Sequence, residues 1–369
     1  MENATLQHIV IICSYLNVPG GYEKMIVNAA NLFIENGYQV TLVILDEPET
    51  VFYPLDKKVQ IIQKNLTFGN SQKGNPFTRK LMLLKDVLRL RKLFAQLQPH
   101  HILATEYIYA VTAILAGGRK FGNVFSWEHH HYGTLTLNRF WRAIVKLVYP
   151  LLNAIITLNE DERNHYTQYN KRVVVIPNFI TPPSSYRQKR RSDYILTVTR
   201  FNYIKGFDLL LDVAEKVFRI NQSIRWKIIG YGMEEEKLIE FIRKKELQNR
   251  FLYIPAIAHD LTNYYHEASF FVLTSRNECF PLVLLEAQSH GLPIVAFDCD
   301  TGPRHIIENN KNGFLVEEEH TQKMSEAILA LWDDQMQIET KSQSAIHSAK
   351  RFYPDTVFKL WDNLFQKKF

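Results

Sequence analysis

The chain is poor in cysteine, with three in 369 residues, Cys13, Cys279 and Cys299, and no CxxC spacing. So few scattered thiols exclude a disulfide scaffold and a structural zinc site, and they fit a reducing compartment. Long apolar runs are also missing. The best stretch, 143–158, is broken by Lys146, Pro150 and Asn153, short of the roughly 18 apolar residues a spanning helix needs. The run 9–13 has neither a basic leader nor a small-residue cleavage site, so it reads as a buried first strand, and a cytoplasmic protein is expected. There is no GxGxxG, which argues against a dinucleotide-dependent dehydrogenase. No carboxylate–histidine set has the i, i+4 spacing of helical metal ligands, so no metal is expected.

What is present is a globular composition, 46% hydrophobic and 22% charged, which excludes disorder and fibrous repeats. The length predicts two domains. The net charge of +6 is uneven: residues 1–182 hold 19 Lys+Arg against 13 Asp+Glu, and residues 183–369 hold 25 against 25. An excess confined to one half points to an anionic partner there (membrane surface, nucleic acid or phosphorylated substrate) or to idle surface charge.

Short apolar runs alternate with amphipathic stretches. Strands are predicted at 8–13, 39–45, 59–62, 101–104, 123–126, 154–158 and 173–176, with helical patterns such as 22–35 and 79–97 between them. The rhythm stops at Pro177-Asn178 and at 181–185, before a basic run at 187–191, and resumes with strands at 194–198, 226–229, 251–254, 270–273, 294–297 and 313–315. The expected architecture is α/β, two Rossmann-like doubly wound domains at 1–182 and 183–352, facing across a cleft that holds the active site. Residues 353–369, with Val357, Leu360, Trp361, Leu364 and Phe365 at helical spacing, should form an amphipathic helix that packs back on the first domain.

The window 274–303 carries the most chemistry. A strand leads into Glu278, Phe280, Pro281 and Leu282, then a helix with Glu286, expected two turns in. Both carboxylates can then face one cleft at a helix head whose amides suit a phosphate. Glu286 among Leu284, Leu285 and Ala287 is costly unless something binds it, whether a ligand or neighbouring backbone. Upstream, Arg200 and Lys205 end a strand and start a helix, where two cations suit a diphosphate. Gly230, in Gly-Tyr-Gly after a strand, and Gly20-Gly21 after the first strand let a backbone approach a ligand. Three adjacent histidines, His129, His130 and His131, follow another first-domain strand; they cannot all face one point, and a metal cluster is disfavoured. Asp298-Cys299-Asp300 has the DxD form of some nucleotide-sugar enzymes, but so short a pattern occurs often by chance.

With these residues in place, the chain resembles a retaining glycosyltransferase of family 4, with the GT-B fold. The resemblance covers nearly the whole chain and is strongest over 200–315. Glu278 to Glu286 looks like the family's Glu-x7-Glu element, Arg200 and Lys205 like its diphosphate pair, and Gly20-Gly21 like its first-domain glycine loop. The stretch 275–307 and Ser126-Trp127-Glu128-His129 are similar to bacterial surface-polysaccharide members that use UDP-sugars, which selects His129 from the three histidines. Cys279 stands where Gly is common, and His305 where Glu often follows Gly-Pro-Arg.

The resemblance implies transfer of a hexose or N-acetylhexosamine from a UDP-sugar to a hydroxyl with retention. His129, Arg200, Lys205 and Glu278 would be catalytic. Donor contacts would come from Gly20, Gly21, Arg200, Lys205, Gly230, Ile257, Glu278, Phe280, Pro281, Leu282 and Glu286. No metal or other cofactor is expected. The first domain shows no obvious carboxylate nucleophile, which favours same-face attack over a covalent intermediate. The basic segments 79–93 and 137–151, the second with Phe140, Trp141, Ile144 and Tyr149, predict attachment to the anionic inner face of the plasma membrane and a polyprenyl-diphosphate-linked glycan acceptor, unless they only cover the sheet. No aromatic stacking platform accompanies them, so nucleic acid is not expected. A nucleotide-sugar epimerase and a non-catalytic partner subunit are the alternatives.

Overall fold

The computed structural model describes residues 6–44, 50–63, 66, 76–134, 137–184, 194–255 and 261–369. The chain forms two compact units, Met1–Pro177 with Phe358–Phe369, and Asn178–Val357. The division falls at 177/178 and 357/358, a few residues from the positions 182 and 352 at which composition changes.

In the first unit, strands β1 (His8–Cys13), β2 (Gln39–Ile44), β3 (Gln60–Gln63), β4 (His101–Ala104), β5 (Asn123–Trp127), β6 (Ala154–Thr157) and β7 (Val173–Val175) form one parallel sheet in the order β3-β2-β1-β4-β5-β6-β7. Helices α1 (Gly21–Glu35), α2 (Pro76–Leu97), α3 (Tyr107–Leu115), α4 (Arg139–Val148) and α5 (Glu160–Tyr166) fill the crossovers. Every side chain of β1 is buried, as a parallel strand covered on both faces requires. On one face Val10, Ile102 and Val124 pack against Phe94 of α2, Val111 of α3 and Val145 of α4.

The opposite face is closed by α13 (Pro354–Phe365). Trp361 meets Phe33 of α1 edge-on at 5.3 Å and Trp127 at 4.9 Å, Phe365 stacks on His101 at 4.5 Å, and the Tyr38 hydroxyl donates to Asp362 at 3.1 Å. Truncating a buried Trp costs about 3–5 kcal/mol, so α13 is part of this unit's core and not an appendage.

In the second unit, β8 (Tyr194–Arg200), β9 (Arg225–Tyr231), β10 (Phe251–Pro255), β11 (Phe271–Leu273), β12 (Ile294–Phe297) and β13 (Gly313–Val316) form a parallel sheet in the order β10-β9-β8-β11-β12-β13. Its helices are α6 (Phe207–Ile220), α7 (Glu235–Lys244), α8 (Thr262–Glu267), α9 (Leu282–Ser289), α10 (Pro303–Ile306), α11 (Thr321–Asp333) and α12 (Gln335–Ala349). Ile195, Ile228, Val272 and Val295 from the strands bury against Phe207, Leu210 and Ile328 from the helices. Both sheets are doubly wound. Their strand order reverses once each, between β1 and β4 and between β8 and β11, and the crevice beyond the carboxyl ends at such a reversal is where ligands bind.

Two features differ from expectation. Strands β8 and β9 run past their apolar segments to Arg200 and Tyr231, because their ladder continues to that pair. On α4, Trp141 packs edge-on against Tyr107 at 5.8 Å, and Tyr149 beyond the helix is 1% exposed, so these two aromatics pack on the core, the alternative the sequence left open. The large apolar side chains of α4 that face out are Phe140 and Leu147.

Candidate active site

In the second unit the reversal between β8 and β11 brings together Lys205 and Glu278, two of the residues singled out in sequence. Arg200 ends β8 and is exposed. Asn202 then caps a single turn, Tyr203–Lys205, its Oδ1 accepting from the Lys205 amide at 2.9 Å. Gly206 follows at φ +61°, and a Cβ there would lie 1.8 Å from the Thr274 carbonyl oxygen. Only glycine lets α6 start against the end of β11.

Across the reversal Lys205 Nζ donates to Glu278 Oε1 at 2.7 Å, and Ser275 Oγ donates to the same oxygen at 2.8 Å. The Lys205 and Glu278 side chains are only 20% and 10% exposed. At an effective dielectric near 20 a contact this short is worth about 6 kcal/mol before desolvation, which offsets much of it. Glu278 is fixed through its backbone as well: its N–H donates to the Asp300 carbonyl at 3.2 Å, and its carbonyl accepts from Thr301 at 2.9 Å and Gly302 at 2.7 Å.

Arg276, two residues before Glu278, holds the Lys205 turn in place. Its guanidinium donates to both carboxylate oxygens of Asp208 at 2.6 and 2.7 Å, to Glu319 at 2.5 Å and to the Tyr203 carbonyl at 2.9 Å, and it lies 3.9 Å from the Tyr203 ring centre. Its amide donates to the Ile204 carbonyl. The Arg276 hydrogen bonds hold the Asp208 carboxyl below the usual carboxylate range. Arg276 and Ser275 lie inside the window read from sequence, but nothing in that window reveals what they hold.

Pro281 precedes α9 with extended backbone and gives it no side-chain cap, so the amides of its first turn are a natural seat for an anion. Phe280 is oriented from its carbonyl, which accepts from Asn178 Nδ2 at 3.1 Å. Glu286 is the fifth residue of α9, just over one turn in and not two. It is 8% exposed, and its Oε2 accepts from the Tyr265 hydroxyl at 2.7 Å. A phenol from α8 is thus one partner of the carboxylate that sequence left open between a ligand and nearby backbone. The 21 positions between them leave no local pattern to read.

Two glycines have reasons of their own. A Cβ on Gly230 would lie 2.0 Å from the Thr199 carbonyl oxygen, so the close approach at that position is made by the neighbouring strand. A Cβ on Gly20 would fall 2.0 Å from Glu23 Oε2, whose side chain folds back over the start of α1. Gly21 opens α1. Ile257 and the basic run 187–191 lie outside the described residues. Asp298 of the DxD triplet pairs with Arg304 Nε at 2.9 Å, and among the described residues no group of three or more His, Cys, Asp or Glu side chains could hold a metal ion.

The first unit has its own cluster at the equivalent reversal. The Tyr22 hydroxyl on α1 lies 2.5 Å from Thr105 Oγ1 beyond β4, and Thr105 donates to the Ile12 carbonyl at 3.0 Å. The histidines beyond β5 separate. His131 Nδ1 and Glu162 Oε1 are buried 2.7 Å apart, and His130 is half exposed with Nε2 4.0 Å from Glu106. His129 lies edge-on to Tyr22 at 5.2 Å and against Trp127 at 4.3 Å. Burial pushes the His129 imidazole down to about 3, so it is neutral at physiological pH, and its enclosed Nε2 has no hydrogen-bond partner among the described residues. Beneath them, buried Glu128 accepts from the hydroxyls of Ser126, Tyr149 at 2.6 Å and Tyr166 at 3.4 Å, and burial raises its pKa.

Comparison with known proteins bears on both units. Residues 183–351 match the family model "Glycosyl transferases group 1", and residues 19–182 match "Glycosyltransferase Family 4". An uncharacterized glycosyltransferase of Haemophilus influenzae is 29% identical over 84% of this chain and 86% of its own length. The amylovoran biosynthesis glycosyltransferase AmsD of Erwinia amylovora is 25% identical over 96% of this chain and 99% of its own. Among solved structures, a variant of S. aureus TarM in complex with fondaparinux, α-GlcNAc-glycerol and UDP superposes with a TM-score of 0.77 at 16% identity, covering 98% of this chain and 100% of that one.

Proposed function

Because the chain belongs to the glycosyltransferases of GT-B fold, its two halves matching family models that together span residues 19–351, we propose that it moves a hexose or N-acetylhexosamine from a UDP-sugar to a glycan hydroxyl, with retention, in the synthesis of a bacterial surface polysaccharide. The observation that carries this reading is the Lys205–Glu278 pair, held by Ser275 and the Arg276 clamp beside the uncapped head of α9. The similar TarM variant holds α-GlcNAc-glycerol and UDP, and AmsD is named as a glycosyltransferase of amylovoran biosynthesis.

In this reading the diphosphate takes Lys205 and Arg200 as counter-ions, with the amides of Phe280 and Leu282; Pro281 has no N–H to give. Glu286 accepts from the ribose hydroxyls, Glu278 holds hydroxyls of the donor sugar, and neutral His129 lines the acceptor side. The bond from the anomeric carbon to the phosphate oxygen breaks while the acceptor oxygen bonds on the same face. The acceptor proton passes to the leaving phosphate. Charge develops on the diphosphate in the transition state, and fixed cations and helix amides stabilise it there without a metal. UDP release from a panel of UDP-sugars with a bacterial membrane extract tests the reading; no release with any donor removes it.

Attachment to an anionic membrane, and with it a polyprenyl-diphosphate-linked acceptor, is part of the same proposal. Helix α3 packs against both α2 and α4. Leu84 and Leu88 on α2 and Phe140 and Leu147 on α4 are 57%, 59%, 52% and 75% exposed, among the exposed cations Lys85, Arg89, Arg139, Arg142 and Lys146. The side chains of Arg79 and Lys80 lie outside those described. Each cation near anionic lipid is worth about 1 kcal/mol, and exposed apolar side chains among them suit the headgroup layer. No described helix is long and apolar enough to cross a membrane. The chain should sediment with anionic liposomes at low salt and be released by salt; no sedimentation at low salt removes this part.

A further inference from the structure

We propose that Tyr265 is a positioning residue for nucleotide recognition: its phenol fixes the carboxylate of Glu286 so that the site selects ribose over 2′-deoxyribose. The inference rests on the reading of this site as one for UDP.

Tyr265 sits on α8 and is 2% exposed. Its ring lies nearly parallel to His290 at 5.1 Å and to Phe271 at 6.1 Å, and His266 backs His290 at 4.8 Å. A ring buried against these neighbours is fixed by packing, so the direction of its hydroxyl is set by the fold. That hydroxyl donates to Glu286 Oε2 at 2.7 Å, in a buried bond. Burial pushes the Tyr265 pKa well up, so the phenol keeps its proton and remains a donor.

The backbone of Glu286 is gripped from the same side. Its carbonyl accepts from Ser289 Oγ at 2.8 Å and lies 2.8 Å from His290 Nδ1. His290 thus touches both the face of Tyr265 and the main chain of Glu286, joining the two through a third group. The terminal torsion of a glutamate is otherwise broad and roughly two-fold. One bond to a fixed phenol removes that freedom, and an ionised carboxylate has lone pairs enough to accept from sugar hydroxyls as well. A carboxylate that is already oriented gains the full bond to a 2′-hydroxyl, a bond that an analogue lacking that hydroxyl cannot make.

Titration calorimetry of the full chain with UDP and with 2′-deoxy-UDP tests this without knowledge of sugar or acceptor. The unaltered chain should prefer UDP by about tenfold or more. Tyr265→Phe keeps the stacked ring; it should bind UDP about fivefold more weakly and shrink the preference to about threefold or less. In a Glu286→Ala background, which removes the acceptor, the same change should add nothing, because both residues act through one contact. If Tyr265→Phe does not fold, Glu286→Asp, which keeps the charge but shortens the reach to the phenol, should lose the preference instead. Failure of the unaltered chain to bind UDP overturns the nucleotide reading and this inference with it. UDP binding with an undiminished preference in Tyr265→Phe, or in Glu286→Asp, overturns the inference alone.

Discussion

The two sheets reverse at equivalent places, and a side-chain contact helps to bridge each reversal, but the bridges differ in kind. Between β8 and β11 it is an ion pair, Lys205 to Glu278, surrounded by further charges on Arg276, Asp208 and Glu319. Between β1 and β4 it is two neutral hydroxyls, Tyr22 and Thr105, beside an imidazole that burial keeps uncharged. A diphosphate needs fixed positive charge, while a sugar hydroxyl needs directed donors and acceptors. One topology therefore presents two chemistries because different residues follow strands of the same rank.

Three changes would break or sharpen that contrast. The largest effect is expected at the charged bridge. Lys205→Ala should lower UDP release from a UDP-sugar by about a hundredfold or more, on the scale of losing one group that stabilises transition-state charge. Circular dichroism should show a folded chain, and near-normal turnover would mean that Lys205 does not serve the leaving group.

At the neutral bridge Tyr22→Phe should cost about 1 kcal/mol of stability, because Thr105 keeps its bond to the Ile12 carbonyl. Turnover should stay within about fivefold of the unaltered chain, the size of one lost neutral hydrogen bond. A loss as deep as that at Lys205 would make the two bridges equivalent and end the comparison.

The smallest effect is in the response to pH. Burial raises the carboxyl of Glu128 above its ordinary 4.5, so the folded first unit holds that proton more tightly than the unfolded chain. Its contribution to stability is full below about 4.5 and is lost as pH rises through the folded value. Asp208 is the reverse. Hydrogen bonding to Arg276 lowers it below 3.8, so its contribution is present above 3.8 and lost as pH falls through the folded value. Glu128→Gln removes the first dependence and leaves the second. Its melting temperature relative to the unaltered chain should climb as pH is raised above 4.5, and a parallel course would show that folding does not raise the Glu128 pKa.

Much of this was legible in the sequence because parallel strands buried on both faces read as short apolar runs. His101–Ala104 and Ile294–Phe297 have the bounds their composition predicts. Ends set by pairing were less legible, as at Arg200 and Tyr231, where hydrogen bonding to a neighbour extends the strand beyond its apolar residues. Glu278, Lys205 and Glu286 stand out as charges in apolar or turn surroundings. Their holders do not. Tyr265, Arg276 and Thr105 are ordinary residues in their own segments, and only the folded chain shows that they touch the others. The same limit hid the inward turn of Trp141 and Tyr149, since a helical stripe shows which residues share a face but not what that face meets.

Helix α13 closes the first unit with side chains encoded after the whole of the second, and the bond from Tyr38 to Asp362 spans 324 positions. During synthesis the ribosome must therefore read through β8 to α12 before Phe33 and Trp127 can receive Trp361. For that interval Phe33, His101 and Trp127 wait uncovered by Trp361 and Phe365, which ties completion of the first core to sequence translated after its neighbour.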